Sequence, residues 1–182
     1  IFSDAAKHQE ATVQVQAVRE YIASINGFKS VTIINRNFNL GLADSIVDGV
    51  TKLCNSDGKA IILEDDIVTS KGFLRFMNNA LNLYADDEKV MHISGYMFGI
   101  DKPEEISETF FYRVPSCWGW ATWKRAWEHF EPDAANLLER INMSKKNYDF
   151  DIENSYAYSE MLQMQASGKL NSWAIRWYAS VF

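Results

Sequence analysis

The stretch AIILEDDIVTS, residues 60–70, joins four apolar residues directly to three consecutive carboxylates. The apolar run predicts a strand over residues 60–63 in a sheet that is covered on both faces. Carboxylates packed together repel one another, and removing their charges from water is costly. Glu64, Asp65 and Asp66 therefore predict a positively charged ligand at the end of this strand.

A hard divalent cation is the ligand that suits these carboxylates. Mg²⁺ or Mn²⁺ uses one or two protein carboxylates and completes its shell with water and phosphate oxygens. Ligands of open α/β sheets bind outside the carboxyl ends of the strands. Strand alternation directs Glu64 and Asp66 to one face and Asp65 to the other, so at most two would share one ligand directly. The pattern predicts a metal ion that holds a phosphorylated ligand, and a solvated acidic loop is the alternative.

Strand and helix patterns alternate through the first half of the chain. Predicted strands cover residues 1–4, 31–34, 60–63 and 90–93, and predicted helices cover residues 10–25, 42–53 and a segment for which Ser70 is the N-cap. This alternation is typical of folds in which helices cover both faces of a mainly parallel sheet. We therefore expect a Rossmann-like α/β fold, and we assign His92 a packing role within its strand.

The second half is irregular and rich in tryptophan. Residues 109–113 predict a further strand, antiparallel to the others, and residues 153–165 predict a helix that ends at Gly168. Trp118, Trp120 and Trp123 either offer apolar faces to a sugar or pack in the core. Gly119, between Trp118 and Trp120, indicates a close approach of the backbone to a ligand or a helix.

Composition and charge exclude several classes of protein. The chain has 182 residues, of which 47% are hydrophobic and 14% aromatic, as expected for one globular domain. A net charge of -6 and scattered Lys and Arg residues argue against nucleic acid as a partner. No apolar run is long enough to predict a transmembrane segment. Cys54 and Cys117 fit no metal or redox spacing, which indicates reduced thiols in a cytoplasmic protein.

Two further polar features follow predicted strands. Asp4 ends the first strand, where it either accepts a hydrogen bond from a nucleotide or caps the helix that follows. Residues 35–44, which include Arg36 and Asn39, lead to Gly41 at the start of a predicted helix. Backbone N–H groups at a helix start favour phosphate, and Arg36 would pair with it. An ordinary strand–helix loop is the alternative.

Taken in this order, the motifs resemble the inverting glycosyltransferases of the GT-A fold, in particular the N-acetylglucosaminyltransferase I family and its bacterial relatives. The similar segments read NFNLGLA (residues 37–43), IILEDDIVTSKGFLRF (61–76), VMHISGY (90–96) and CWGWATWKRAWEHFEP (117–132). The resemblance covers about residues 1–132 and is weaker afterwards. It implies a single GT-A domain over residues 1–182, with a nucleotide-sugar half (1–100) and an acceptor half (101–182).

The resemblance also implies roles for the acidic residues. Asp66 corresponds to the metal ligand, and Glu64 and Asp65 correspond to residues that face the ribose and the donor sugar. Asp4 corresponds to the residue that reads the uracil ring. The implied cofactor is Mn²⁺ or Mg²⁺, the donor is a nucleotide-sugar such as a UDP-sugar, and the acceptor is a hydroxyl group of a glycan or another molecule. The other substrate-binding candidates are Arg36, Asn39, Trp118, Gly119 and Trp120.

The catalytic base is expected in the segment ahead of Gly168. Glu160 is the nearest carboxylate, although it is offset from the family position. Asp149, Asp151 and Glu153 are alternatives. An ordinary solvent-facing helix residue is the other interpretation of Glu160.

Family members carry a strand before the position at which this chain begins, and this chain ends inside an apolar run. We therefore expect a fragment of a longer protein, without the first strand and the C-terminal end. Two alternatives to a glycosyltransferase stay open. One is a nucleotidyltransferase, which also joins a nucleotide-binding sheet to acidic metal ligands, and the other is a carbohydrate-binding domain without catalysis.

Overall fold

A computed structural model describes residues 1–102 and 104–182 in full and the backbone alone of Pro103. The fold is mixed α/β, as predicted. The strands are β1 (Phe2–Ser3), β2 (Ile34–Asn35), β3 (Lys59–Ile62), β4 (Ile93–Ser94) and β5 (Trp120–Trp123). The helices are α1 (Thr12–Ala23), α2 (Leu42–Asp57), α3 (Phe73–Leu83), α4 (Lys124–Trp127), α5 (Ala134–Ser144), α6 (Asn147–Phe150), α7 (Tyr158–Ala166) and α8 (Trp173–Val181). The chain divides into two compact units, Ile1–Gly49 and Val50–Phe182.

In the first unit, β1 and β2 form a two-stranded parallel sheet and α1 connects them. The paired residues are Phe2 with Ile34 and Ser3 with Asn35. Arg19 of α1 ties the carboxyl ends of both strands together, because its Nη2 donates to the carbonyl oxygens of Asp4 (3.2 Å) and Arg36 (2.8 Å). The guanidinium thereby satisfies two carbonyl groups that the short ladder leaves without a partner.

In the second unit, three strands pair in the order β3-β5-β4, and both pairings are antiparallel. The sequence predicted a mainly parallel sheet, whereas this sheet is short and antiparallel at each ladder. Since β3 and β4 are both antiparallel to β5, they run in the same direction, as a strand–helix–strand pattern with α3 in the middle predicts. The difference arises because β5 is inserted between them.

The inserted strand was not predicted from the sequence. All four residues of β5 are buried, so the segment lacks the alternation that marks a half-exposed strand. The strand predicted at residues 109–113 is not formed, since these described residues adopt irregular structure.

An aromatic core lies beside β5. Trp120 is fully buried, and its ring stacks between His92 (5.0 Å between centroids) and Trp173 (5.1 Å). Trp127 and Trp177 pack around the same ring at 6.0 and 6.3 Å. These contacts attach α4 and α8 to the sheet through large apolar surfaces.

The helical part of the second unit has its own core, formed by α5, α7 and α8. Phe150 of α6 stacks on Tyr178 at 4.6 Å, and the Tyr178 hydroxyl donates to the Phe150 carbonyl oxygen at 2.9 Å. The buried residues of this core are Val114, Ala134, Leu137, Ile141, Phe150, Leu162, Ile175, Tyr178 and Ala179. Among the described residues, no helix combines the length and the hydropathy that crossing a bilayer requires.

Two glycines allow the ends of β4 and β5 to approach closely. The Gly95 N–H donates to the Gly119 carbonyl oxygen at 2.8 Å, and Gly119 has a φ of 72°. A Cβ atom at Gly95 would lie 2.5 Å from the Phe73 ring and 2.8 Å from the Gly119 oxygen. This approach therefore requires a residue without a side chain at position 95.

We expect Gly95→Ala to lower the free energy of unfolding by about 1–3 kcal/mol, because its methyl group must displace the Phe73 ring and the neighbouring backbone. Gly99→Ala is the matched control, since a Cβ there meets nothing within 4 Å. Urea unfolding followed by fluorescence measures both variants. Equal stability of the two variants would contradict this packing.

Candidate functional site

The carboxyl ends of β3 and β4 and the amino end of β5 meet at one edge of the three-stranded sheet. Ile62 and Ser94 both pair with Trp120, the first residue of β5, so the three adjoining loops leave the sheet side by side. These loops are residues 63–66, 95–98 and 116–119, and we call them together the loop edge. Ligands of α/β sheets bind at such an edge, where loops leave the carboxyl ends of strands.

The acidic loop of this edge carries an uncompensated negative charge. Glu64 is half-buried, while Asp65 and Asp66 are exposed. Burial first, and then the charges of Asp66 and Asp65, raise the pKa of Glu64 above its ordinary value. In the described part of the chain, none of the three carboxylates has a side-chain hydrogen bond or an ion pair. A cation bound here would relieve this repulsion.

The donor set fits a hard, partly hydrated metal ion. Over the residues described, no group of three or more His, Cys, Asp and Glu side chains is arranged to hold a metal ion. A Mg²⁺ or Mn²⁺ ion needs only one or two protein carboxylates when water and phosphate oxygens supply the remaining ligands. Asp66, which is exposed and has both oxygens available, suits an open site of this kind.

Trp118 and Trp120 have different environments, although only Gly119 separates them. The Trp118 side chain is exposed at the loop edge. Trp120 is fully buried, with its ring stacked against those of His92 and Trp173, so it cannot receive a sugar ring. Of the three predicted sugar-binding tryptophans, only Trp118 is exposed, because Trp120 and Trp123 are buried in the core.

In the first unit, Asp4 caps the start of α2. Its carboxylate accepts hydrogen bonds from the backbone N–H groups of Leu40 (3.0 Å) and Gly41 (2.9 Å), and from that of Ala5 (3.0 Å). The sequence predicted either a nucleotide contact or a cap for the helix that directly follows Asp4. The helix it caps is α2 instead, and the N–H groups predicted for phosphate already donate to a carboxylate.

Arg36 and Asn39 also bond within the first unit. The Arg36 Nη2 atom lies 2.8 Å from an Asp48 carboxylate oxygen, and its side chain is only 9% exposed. The Asn39 amide donates to the Ala5 carbonyl oxygen at 2.7 Å. A phosphate group at Arg36 would have to compete with Asp48.

Two of the alternative bases have structural partners. Both carboxylate oxygens of Asp151 accept hydrogen bonds from Ser159, one from its N–H and one from its hydroxyl group. Asp149 lies 3.6 Å from the Arg113 guanidinium. Either carboxylate would lose or weaken these interactions if it took up a proton from an acceptor hydroxyl.

Glu160 and the third alternative base, Glu153, are both exposed and have no side-chain partner among the described residues, so the assignment of the base to Glu160 stays a prediction. Glu160 lies in the first turn of α7. Burial first, and then neighbouring groups that include Cys117, raise the pKa of Tyr158, the first residue of α7, to about 12.

His92 holds the loop before β5 in place, a role that its sequence context did not reveal. Trp177 Nε1 donates to His92 Nδ1 (3.1 Å), so the Nε2 atom carries the hydrogen and donates to the Ser116 carbonyl oxygen (2.9 Å). Burial lowers the pKa of His92 to about 4, and the hydrogen bond to Ser116 opposes this effect only in part. The ring is therefore a neutral link between α8 and the loop edge.

Comparison of this chain with known proteins does not assign it to a family. No protein-family model, no curated protein and no solved structure matches the chain. The chemistry of the loop edge is therefore inferred from its own residues and geometry.

We expect the folded protein to lose stability as the pH falls from about 6.5 to about 4, because the unfolded chain binds a proton at His92 that the folded protein excludes. The difference between these two pKa values corresponds to about 3 kcal/mol. Urea unfolding at a series of pH values measures the loss. His92→Gln cannot titrate and should lose clearly less over the same range. Parallel pH profiles of the two proteins would contradict the buried neutral imidazole.

Proposed function

We propose that this chain is a metal-dependent glycosyltransferase domain of the GT-A fold, which moves a sugar from a nucleotide-sugar, preferably a UDP-sugar, to an acceptor hydroxyl with inversion. The observation that carries the proposal is the acidic loop after β3, whose three carboxylates lack an internal cation. Position supports it as well, because the loop lies at the carboxyl ends of two strands that run in the same direction.

We assign the three acidic residues of the loop to different ligands, the metal ion and the nucleotide-sugar donor. Asp66 would hold Mn²⁺ or Mg²⁺, which when bound stabilises the negative charge of the leaving diphosphate. Glu64 and Asp65 would accept hydrogen bonds from hydroxyl groups of the ribose and the donor sugar. The negative charges of this loop repel one another, and a bound cation and hydroxyl donors would make them favourable.

Glu160 would act as the general base. As the bond between the anomeric carbon and the phosphate oxygen breaks, the acceptor oxygen forms a new bond to that carbon from the opposite face. The proton of the acceptor hydroxyl passes to the Glu160 carboxylate. A single displacement of this kind inverts the anomeric configuration, as in inverting glycoside hydrolysis.

Other parts of the proposal have weaker support. Donor binding by Asp4, Arg36 and Asn39 stays a prediction, because Asp4 and Asn39 already form hydrogen bonds within the first unit and Arg36 pairs there with Asp48. The buried Nε atom of Arg36 has no hydrogen-bond partner among the described residues. A cytoplasmic location also stays a prediction. The free thiols of Cys54 and Cys117 agree with it.

A carbohydrate-binding domain without catalysis is the second candidate. The exposed ring of Trp118, which contacts Tyr96 and lies near Phe98, favours it. This candidate requires sugar binding that does not depend on a metal ion or on Asp66.

An assay of UDP release from a panel of UDP-sugars, with Mn²⁺ or with EDTA, tests the proposal. We expect slow release that requires the metal ion, and we expect Asp66→Asn to lower the rate at least about 10²-fold because one charged metal ligand is lost. Release that persists in EDTA, or a near wild-type rate in Asp66→Asn, would refute the metal assignment.

Two further variants complete this assay. Asp86→Asn is the matched control, since Asp86 is an exposed carboxylate with no role in the site, and its rate should not change. Glu160→Gln should lower sugar transfer about 10²-fold or more while leaving Mn²⁺-dependent UDP binding intact. A loss below about tenfold would move the base to another carboxylate.

A further inference from the structure

Three exposed aromatic side chains contact one another at the loop edge. Tyr96 is 38% exposed, Phe98 48% and Trp118 53%. Tyr96 packs edge-to-face against Trp118 at 4.5 Å and against Phe98 at 5.6 Å, and Phe98 lies 6.2 Å from Trp118. We call this group the aromatic platform.

The platform is held by the backbone beneath it. Tyr96 follows Gly95 and Trp118 precedes Gly119, and these two glycines are joined by a hydrogen bond of 2.8 Å. The buried Phe73 ring fills the space under both glycines. Because the two loops are fixed at their roots, the rings of Tyr96 and Trp118 are presented together to solvent.

The platform lies beside the acidic loop. A Cβ atom at Gly119 would be 3.3 Å from the Leu63 side chain, which directly precedes Glu64. Burial first and the charge of Glu64 second raise the pKa of the Cys117 thiol, so Glu64 lies close to the residue before Trp118. Apolar ring faces and unpaired carboxylate oxygens are therefore neighbours on one surface.

We propose that the aromatic platform binds a pyranose ring, whose C–H face covers the aromatic rings while its hydroxyl groups donate to the carboxylates of the acidic loop. A pyranose combines an apolar face with a rim of hydroxyl donors, and a site with apolar walls and a few polar groups suits it. That this ring belongs to the acceptor of a glycosyl transfer rests on the function proposed above.

Other occupants fit this surface less well. An anionic membrane surface would be repelled by Glu64, Asp65 and Asp66, which lack internal cations. A second copy of the chain, or an apolar peptide, would remove three unpaired carboxylates from water without supplying donors. Hydroxyl groups satisfy both parts of the surface at once.

Ligand-observed NMR with methyl glycosides of glucose, galactose, mannose and N-acetylglucosamine tests the proposal without relying on activity. We expect at least one glycoside to bind through its C–H face. Trp118→Ala and Tyr96→Ala should each weaken binding about tenfold or more, whereas Trp118→Phe should retain most of it. Tyr148→Ala is the matched control, because Tyr148 is an exposed aromatic residue of α6 outside the platform.

Three results would overturn the proposal: no binding of any glycoside, equal binding in all variants, or self-association that Trp118→Ala abolishes without any glycoside binding. Its failure is separable from failure of the glycosyltransferase proposal. Metal-dependent UDP release without glycoside binding would refute the proposal for the platform and leave the glycosyltransferase proposal standing. Glycoside binding that depends on the platform, without UDP release by the wild-type protein, would refute the glycosyltransferase proposal. The platform would then be a carbohydrate-binding surface.

Discussion

The double pairing of β5 is the interaction on which the second unit depends. β5 bonds to β3 on one side and to β4 on the other, so two strands that run in the same direction are held one strand apart. The side chains of β5 anchor the sheet as well. Trp120 enters the aromatic core, and Trp123 Nε1 donates to the Leu81 carbonyl oxygen of α3 at 3.0 Å. Without this strand the acidic loop, the Gly95 loop and the Trp118 loop would have no common edge.

The distribution of charge separates structural carboxylates from those of the site. In the first unit Asp4 receives backbone N–H groups and Asp48 receives the Arg36 guanidinium. In the helical part of the second unit, Asp151 receives two hydrogen bonds from Ser159. Glu64, Asp65 and Asp66 receive no such partner from the described residues, and burial first, then the charges of Asp66 and Asp65, raise the pKa of Glu64. An external cation or hydroxyl donor is the natural complement of this loop.

Local pattern predicted the elements of the site better than their arrangement. The strand before Glu64 and the carboxylates at its end follow from an apolar run that meets three charges, and β3 confirms that strand. The third helix begins at Phe73 with Gly72 as its N-cap, not at a Ser70 cap, because Ser70 instead closes a turn through its carbonyl oxygen. Such boundary errors are local and small.

Long-range pairing was not predictable in the same way. The position of β5 between β3 and β4 depends on contacts between segments far apart in sequence, and its fully buried residues carry no alternation. The partner of Asp4 lies 36 residues away, at Leu40. The contacts of Trp118 with Tyr96 and of His92 with Trp177 likewise exist only in the folded chain.

Paramagnetic broadening by Mn²⁺ tests the central claim most directly. The measurement adds Mn²⁺ and UDP to isotope-labelled protein and records which backbone amide signals broaden first. A metal site on the acidic loop predicts the strongest broadening at residues 64–66, followed by residues 117–119 across the loop edge. Strongest broadening elsewhere, or weak and uniform broadening of the whole spectrum, would contradict a metal site at this edge.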